Sequence, residues 1–256
     1  MQEQIRFTNH SGEKLAGTFH VPSEESRRGI ILGHCFTCSR HTRVLRDISH
    51  GLLDEGFKVL RFDFSGNGQS EGEFANSFYS KQLSEMKTAI SFMSAQKVSW
   101  IGLAGHSMGA VVALLAAGEV ANVKAVCTLA AKASPLGTSY FFNDSQLHEL
   151  KLRGRLQFIS RGRTLELTEG FFEDAARYNL SDIVASLRQP LLVVHGDQDE
   201  TISVEEAYKL KQFKSRHTDL AIIPGADHMF SRDEYRAQVV EIVVKWFKRL
   251  AVEDGF

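Results

Sequence analysis

The chain has 256 residues, enough to bury a substantial hydrophobic core, and its 43% hydrophobic and 24% charged residues are those of a globular protein and not of a disordered one. Thirty basic residues against thirty-one acidic ones leave a formal charge of -1, so no global field attracts nucleic acid or an anionic membrane. Three cysteines cannot all pair internally, and a chain of this length needs no disulfide scaffold.

The first residues lack the long apolar segment of a signal peptide and nothing later makes a charge-free membrane span, so cytoplasmic residence is expected. IRFTNHSGEKLAGTFHVP predicts two short strands joined at Ser11-Gly12, a hairpin at the edge of a larger sheet. RRGIILGH supplies a buried strand through Ile30, Ile31 and Leu32. Residues 41 to 55 follow as a helix carrying Val44, Leu45, Ile48, Leu52 and Leu53, which ends before Gly56. FKVLRFDF at 57 to 64 is the next strand, and Gly66, Gly68 and Gly72 mark a loop. Residues 81 to 96 predict a helix through Leu83, Met86, Ile90 and Met93, and VSWIGLAG a strand. A helix from Ser107 to about Gly118 and the strand VKAVCTLAA at 123 to 131 continue the alternation.

Residues 132 to 184 break this rhythm: helix candidates lie near 144 to 152 and 168 to 179, and LQFISRG pairs with RTLEL as a hairpin candidate. PLLVVHG at 190 to 196, a helix near 203 to 214, TDLAIIP at 218 to 224 and a helix from about 231 to 250 complete the chain. Strands apolar almost throughout, alternating with helices, predict an α/β fold: a mostly parallel sheet covered on both faces. Residues 1 to 256 then form one domain, with 132 to 184 inserted as a lid over the carboxyl edge of the sheet, since a structureless loop of that length is rare. The arginines of the Arg-Gly cluster at 153 to 163 lack regular aromatic interleaving, which favours a solvated or anion-facing lid surface over RNA binding.

The chemistry-bearing motif is Gly105-His106-Ser107-Met108-Gly109, between a strand and a helix. A tight turn there lifts the Ser107 hydroxyl above the sheet. Gly105 and Gly109 remove Cβ atoms where the backbones approach, and the helix start aims free N–H groups, above all that of Met108, at the site. A plain serine N-cap is the bland alternative. A serine nucleophile needs a base, and His228 in IIPGADHMFSRDE stands on a loop after an apolar strand. Asp199 in LLVVHGDQDETIS follows the preceding strand and would fix the imidazole tautomer. Asp197 is its rival, with a turn-capping alternative role. His106 and His195 are weaker candidates for the base. The loop after the first buried strand, GHCFTCSRHTR, is placed to give a second oxyanion donor, the N–H of Phe36.

Cys35 and Cys38, flanked by His34 and His41, read first as structural or pocket-lining thiols, with a redox-sensitive pair and a crowded zinc site as alternatives. Cys127 in VKAVCTLAA reads as a buried structural thiol. The segment 63 to 70 lacks the lysine of a phosphate loop and reads as a tight structural loop. In the insert, Tyr140, Phe141, Phe142, Phe171 and Phe172 divide between packing and an apolar acyl or aryl pocket.

Over essentially its whole length the chain resembles the alpha/beta-hydrolase superfamily, through the serine turn at 105 to 109, D-x-x-G-x-G-x-S at 63 to 70, H-G-D-x-D at 195 to 199 and G-A-D-H at 225 to 228. HCFTCS, FKVLRFDFSGNGQSEGEFANSFYS and LRQPLLVVHGDQDETISVEEA look like the hydrolase part of bacterial proteins fused to an osmotically inducible, peroxide-reducing domain, and are similar to small bacterial feruloyl and cinnamoyl esterases. The resemblance implies an eight-stranded sheet with a lid after the sixth strand, and Ser107, Asp199 and His228 as nucleophile, acid and base. Where many relatives carry His-Gly-aromatic in the oxyanion loop, this chain has His34-Cys35-Phe36. The expected activity is hydrolysis of a small or aromatic carboxylic ester, with no metal or organic cofactor. Thioester cleavage is an alternative, as is amide cleavage with Glu166, Glu169, Glu173 or Asp174 anchoring a substrate amine; a non-catalytic binding module is the alternative of another class. The expected partner is a small acyl substrate, with neither nucleic acid nor membrane; a homodimer is left open.

Overall fold

The computed structural model describes residues 1–133, 135–136 and 141–256. Among the described residues there are ten strands and eight α-helices, and all but α6 (Leu180–Ser186) follow the predicted order. β1 (Gln2–Thr8) and β2 (Lys14–His20) form the expected antiparallel hairpin, turned by the Asn9 side chain, which accepts from the N–H groups of Ser11 and Glu13 at 3.0 Å each. β3 (Arg28–Gly33), α1 (Arg43–Asp54), β4 (Lys58–Phe62), α2 (Tyr79–Ala95), β5 (Trp100–His106), α3 (Met108–Glu119) and β6 (Val123–Leu129) then alternate. After the insert come β9 (Leu191–Gly196), α7 (Glu205–Phe213), β10 (Thr218–Ile223) and α8 (Asp233–Glu253).

The main sheet has eight strands in the order β1-β2-β4-β3-β5-β6-β9-β10, antiparallel only at β1-β2 and β2-β4. Side chains alternate across it. Ile101, Leu103, Leu191 and Val193 enter one core with α2 and α3, while Trp100, Ala104, Leu192 and Val194 enter the other with α1 and α8. Two covered faces account for strands with almost no polar positions. α3 is buried all round from Met108 to Ala117, which explains why it is apolar on every side and not amphipathic.

Between β6 and β9 the described insert contains α4 (Asp144–Arg153), the two-stranded antiparallel hairpin β7 (Arg155–Ser160) and β8 (Arg163–Thr168), α5 (Glu169–Ala175) and α6 (Leu180–Ser186). α4 has a capping box, with Asn143 accepting from Gln146 N and Gln146 Oε1 from Asn143 N, and ends at Gly154 in the left-handed region, φ 70°. α6 was not anticipated; Leu180, Val184 and Leu187, spaced i, i+4, i+7, are all buried in the core that holds α3. The insert is fastened at its other end by Asp174 of α5, whose carboxylate accepts from Ser80 N at 2.9 Å in the first turn of α2.

Candidate active site

The carboxyl ends of β3, β5, β9 and β10 project the candidate residues to one edge of the sheet. Ser107, between β5 and α3, has φ 56° and ψ -117°, a conformation that costs a residue with a Cβ about 1–3 kcal/mol. Its own N–H donates to Leu129 O at 2.8 Å and its carbonyl accepts from Ala110 N at 3.0 Å, which fixes the turn from both sides. A Cβ on Gly105 would lie 2.3 Å from Gly109 O, and one on Gly109 would lie 2.4 Å from Gly33 O and 2.5 Å from His34 O. The two glycines are thus required by contact between backbones.

Asp199 and His228 meet from neighbouring strand ends. His228 Nδ1–H donates to Asp199 Oδ2 at 2.7 Å, so Nε2 carries the free lone pair. The other oxygen, Oδ1, accepts from Thr201 N at 2.9 Å and Ile202 N at 2.7 Å. Burial works against ionisation of Asp199, but the hydrogen bonds from His195 and His228, the charge of His228 and the Ile202 N–H outweigh it and hold the carboxyl below its ordinary range. Gly196 is needed beneath this pair, since a Cβ there would meet Ala226 O at 2.1 Å. Asp197, the rival acid, accepts from Gly225 N at 2.7 Å and ties the loop before His228 to the end of β9.

His106 Nε2–H donates to the His228 carbonyl at 2.7 Å, and the two rings lie 4.9 Å apart, which brings the serine turn and the imidazole to the same corner of the edge. Burial, then the charge of His228, lowers the pKa of His106 to about 3, so it stays neutral and serves as a strut. His195, read only as a weak candidate base, lies 3.1 Å from Asp199 Oδ2 through Nε2, which also donates to Ile202 O at 2.8 Å. It is a positioning partner of the carboxylate. The sequence signals for it were its place one residue before the end of β9 and at the head of H-G-D-x-D, neither of which states its contact with Asp199. Ser107 is 2% exposed, and among the described residues its hydroxyl has no hydrogen-bond partner.

The N–H groups of Phe36 and Met108 donate to no protein acceptor among the described residues. Phe36 sits in a turn closed at its base by a Cys35–Cys38 disulfide, Cα–Cα 5.2 Å, and by Cys38 N donating to Cys35 O at 3.1 Å. Here the sulfurs are bonded to each other, a state in keeping with the redox-sensitive alternative, where the first reading had structural or pocket-lining thiols. Spacing permitted the pair and could not state its oxidation state. His34, considered as a zinc ligand, instead accepts from Phe64 N at Nε2 (3.0 Å) and donates from Nδ1 to Cys35 O (2.7 Å), with burial outweighing the Asp63 charge to hold it neutral. It thereby fastens the start of the Phe36 loop to the segment that follows β4. Among the described residues no three His, Cys, Asp or Glu side chains gather as a metal site. Cys127 is buried and free, its thiol pushed up by burial. The loop at 63 to 70 is structural: Asp63 pairs with buried Arg40 and accepts from the N–H groups of Arg40 (2.6 Å) and Gln69 (2.9 Å).

The insert rests on the Phe36 loop. Ser160 Oγ donates to Thr37 Oγ1 at 2.9 Å, and Arg163 Nη2 to Thr37 O at 3.3 Å. The Phe36 ring stacks on Phe141 (centroids 5.9 Å apart) and Phe158 (6.2 Å), and with Phe142 these line a cavity of about 180 Å³. Phe171 is 1% exposed and packs on Tyr79 and Phe36, a core residue and no part of that lining; Phe172 packs on Phe171. Tyr140 lies outside the described residues. No described helix is long and apolar enough to cross a membrane.

An eight-stranded, mostly parallel sheet with a strained serine turn at its centre defines the alpha/beta hydrolase class. The chain belongs to the alpha/beta hydrolase family, whose model matches residues 30–242. It is similar to the esterase domain of a Rhodothermus marinus protein, at 29% identity over 97% of this chain and 98% of that one, with a TM-score of 0.77. The structure of Est1E from Butyrivibrio proteoclasticus with bound ferulic acid shares the fold at 24% identity, 97% and 98% coverage and a TM-score of 0.77. The protein YqkD of Bacillus subtilis is 27% identical over 88% of this chain and 74% of its own.

Proposed function

We propose that the protein is a serine hydrolase that cleaves a small or aromatic carboxylic ester through an acyl-enzyme, with residues 132 to 184 acting as its lid. The observation that carries the proposal is the strained turn at Ser107 beside a His228–Asp199 pair bonded at 2.7 Å. Ser107 Oγ attacks the acyl carbon while His228 Nε2 takes its proton. The carbonyl oxygen becomes an oxyanion in front of the Phe36 and Met108 N–H groups, each worth about 3 kcal/mol in the transition state. The ionised Asp199 steadies the imidazolium, which gives its proton to the leaving oxygen; water activated by His228 then releases the acid. The Ser107–His228 hydrogen bond forms as substrate is bound, since such contacts are commonly loose beforehand. With Ser107 2% exposed, the lid is proposed to part for substrate to enter.

Two of the four carboxylates named as amine anchors are placed elsewhere. Asp174 accepts from Ser80 N, and Glu166 lines a separate cleft with Arg153 and Arg155. The test is labelling by a fluorophosphonate together with turnover of p-nitrophenyl and feruloyl esters. Wild type is expected to label and turn over, and Ser107→Ala to do neither. A folded wild type that neither labels nor turns over any ester would end the proposal.

A further inference from the structure

A second cleft, of about 590 Å³, shares Thr37 as a lining residue with the aromatic cavity. Its walls come from four segments: the loop and first turn at 37 to 43, Gly68, the β7–β8 turn at 161 to 163, and residues 229 to 236 after His228. Its charged lining is Arg43, Arg161, Arg163 and Arg236, joined by His41, and among the described residues no lining side chain is acidic. For a chain with a formal charge of -1, this is a concentrated positive patch.

The arginines differ in what they are free to do. Arg236 is spent on Asp47, Asp233 and the carbonyls of Phe230 and Ser231. Arg43, Arg161 and Arg163 have no carboxylate within 4.0 Å among the described residues. Arg163 gives one N–H to Thr37 O, and Arg161 only meets Met229 Sδ at 3.9 Å, so most of their donors face the cleft or solvent. The surrounding carboxylates are engaged elsewhere: Asp47 and Asp233 on Arg236, Asp227 on Ser231 N and Oγ, and Asp63 on Arg40. A cleft walled by one sign of charge focuses the field and gathers counter-charge.

We infer that this cleft is an anion subsite that receives a carboxylate or phosphate carried on the leaving group of the substrate. Which half of the substrate lies there rests on the esterase reading. His228 must hand a proton to the leaving oxygen, so the leaving group departs on the His228 side, and Met229, the next residue, lines the basic cleft. The aromatic cavity beside Phe36 is left for the acyl group. Thr37 lines both spaces, so they adjoin there. An ester or thioester lying across it would place an apolar acyl on one side and an anionic alcohol or thiol on the other.

The experiment pairs 4-acetoxybenzoate and 4-acetoxyphenyl phosphate with the neutral methyl 4-acetoxybenzoate, dividing each kcat/KM by its hydroxide rate to remove intrinsic reactivity. Pyrophosphate binding is measured in parallel by calorimetry. For wild type at low salt the anionic-to-neutral ratio is expected to be on the order of tenfold, at the low end of such focusing. It falls towards one in Arg43→Gln/Arg161→Gln and in 0.5 M salt, with pyrophosphate affinity falling in step. Preference for the phosphate ester or for the carboxylate ester tells which anion the site takes. A ratio near one in wild type, or pyrophosphate binding indifferent to the double substitution, overturns the subsite while leaving the esterase standing. Pyrophosphate binding that the substitution abolishes, in a protein that cleaves no ester, supports the subsite and defeats the esterase reading instead.

Discussion

Gly109→Ala tests the oxyanion geometry without touching a reacting group. The added Cβ would meet two backbone carbonyls, Gly33 O at 2.4 Å and His34 O at 2.5 Å, and neither can rotate away as a side chain would. To reach even 3.0 Å, the start of α3 and the end of β3 must separate by about 0.6 Å. These two segments carry Met108 and the loop to Phe36, so the separation pulls the donors apart. A displacement approaching 1 Å in a positioned group costs roughly 10²-fold in rate, and complete loss of one donor about 10²- to 10³-fold. The expected result is a fall in kcat of about 10²-fold with KM little changed, because the donors act on the oxyanion and not on the ground-state carbonyl. The strain should also cost about 1–3 kcal/mol of stability. The assay is p-nitrophenyl ester kinetics at a temperature where circular dichroism shows wild type and variant both folded. A folded variant within threefold of wild-type kcat would refute the argument that this glycine sets the spacing of the donors.

Asp199→Asn should lower kcat by about 10³- to 10⁴-fold at nearly constant KM, since the imidazole loses both its tautomer lock and the charge that steadies its cation; stopped-flow acylation reads this directly. Stability should decline as the pH falls below about 6.5, where the unfolded chain protonates histidine while the folded chain, with His106 lowered to about 3, does not. The stability is complete above that pH and is lost on the way down, by about 2 kcal/mol between pH 6.5 and 5. His20, lowered to about 4 by burial and then by Arg61, adds loss in the same direction, whereas the depressed Asp199 matters only below the ordinary carboxylate range. Urea midpoints for wild type and His106→Asn are the check, and identical pH dependence would reject it. Denatured but unreduced protein should titrate one thiol, Cys127, and three after reduction. Reduction should cost up to about 2 kcal/mol by the loop-closure argument, and three thiols before reduction would exclude the bond.

The fold was largely legible because its signals are local. Continuous apolar strands such as IILG and LLVV, alternating with helices, state that both faces of the sheet are covered, and the two cores confirm it through Ile30 and Ile31, which point to opposite sides. The serine turn was legible for a harder reason: strand, tight bend and helix each require particular residues, and Gly105 and Gly109 are the ones whose Cβ would strike backbone. What sequence could not give were relations between remote groups. α6 is a single short helix whose two buried residues, with Leu187 at its C-cap, state its period only once. His195 and His34 stand in quoted motifs, H-G-D-x-D and HCFTCS, but the motifs do not state their partners, an oxygen of Asp199 and an N–H of Phe64 that the fold brings to them.

The insert shows why this division falls where it does. Its aromatic residues look alike in sequence, yet Phe158 and Phe142 line the cavity beside Phe36, while Phe171 is consumed in docking against Tyr79. The same segment turns Arg161 and Arg163 towards Thr37 and Met229, where they join Arg43 from the far side of the chain. A sheet edge gathers its candidate residues from strand ends, each marked by a glycine or a turn, so the proposed nucleophile and its proposed partners can be read from motifs. Selectivity is assembled from whatever the insert lays across that edge, and its side chains have no motif because many packings of the same composition satisfy the hydrophobic effect. The electrostatic character of the cleft therefore belongs to the arrangement and not to any one segment: its unpaired guanidiniums stand in a chain whose charges otherwise almost cancel.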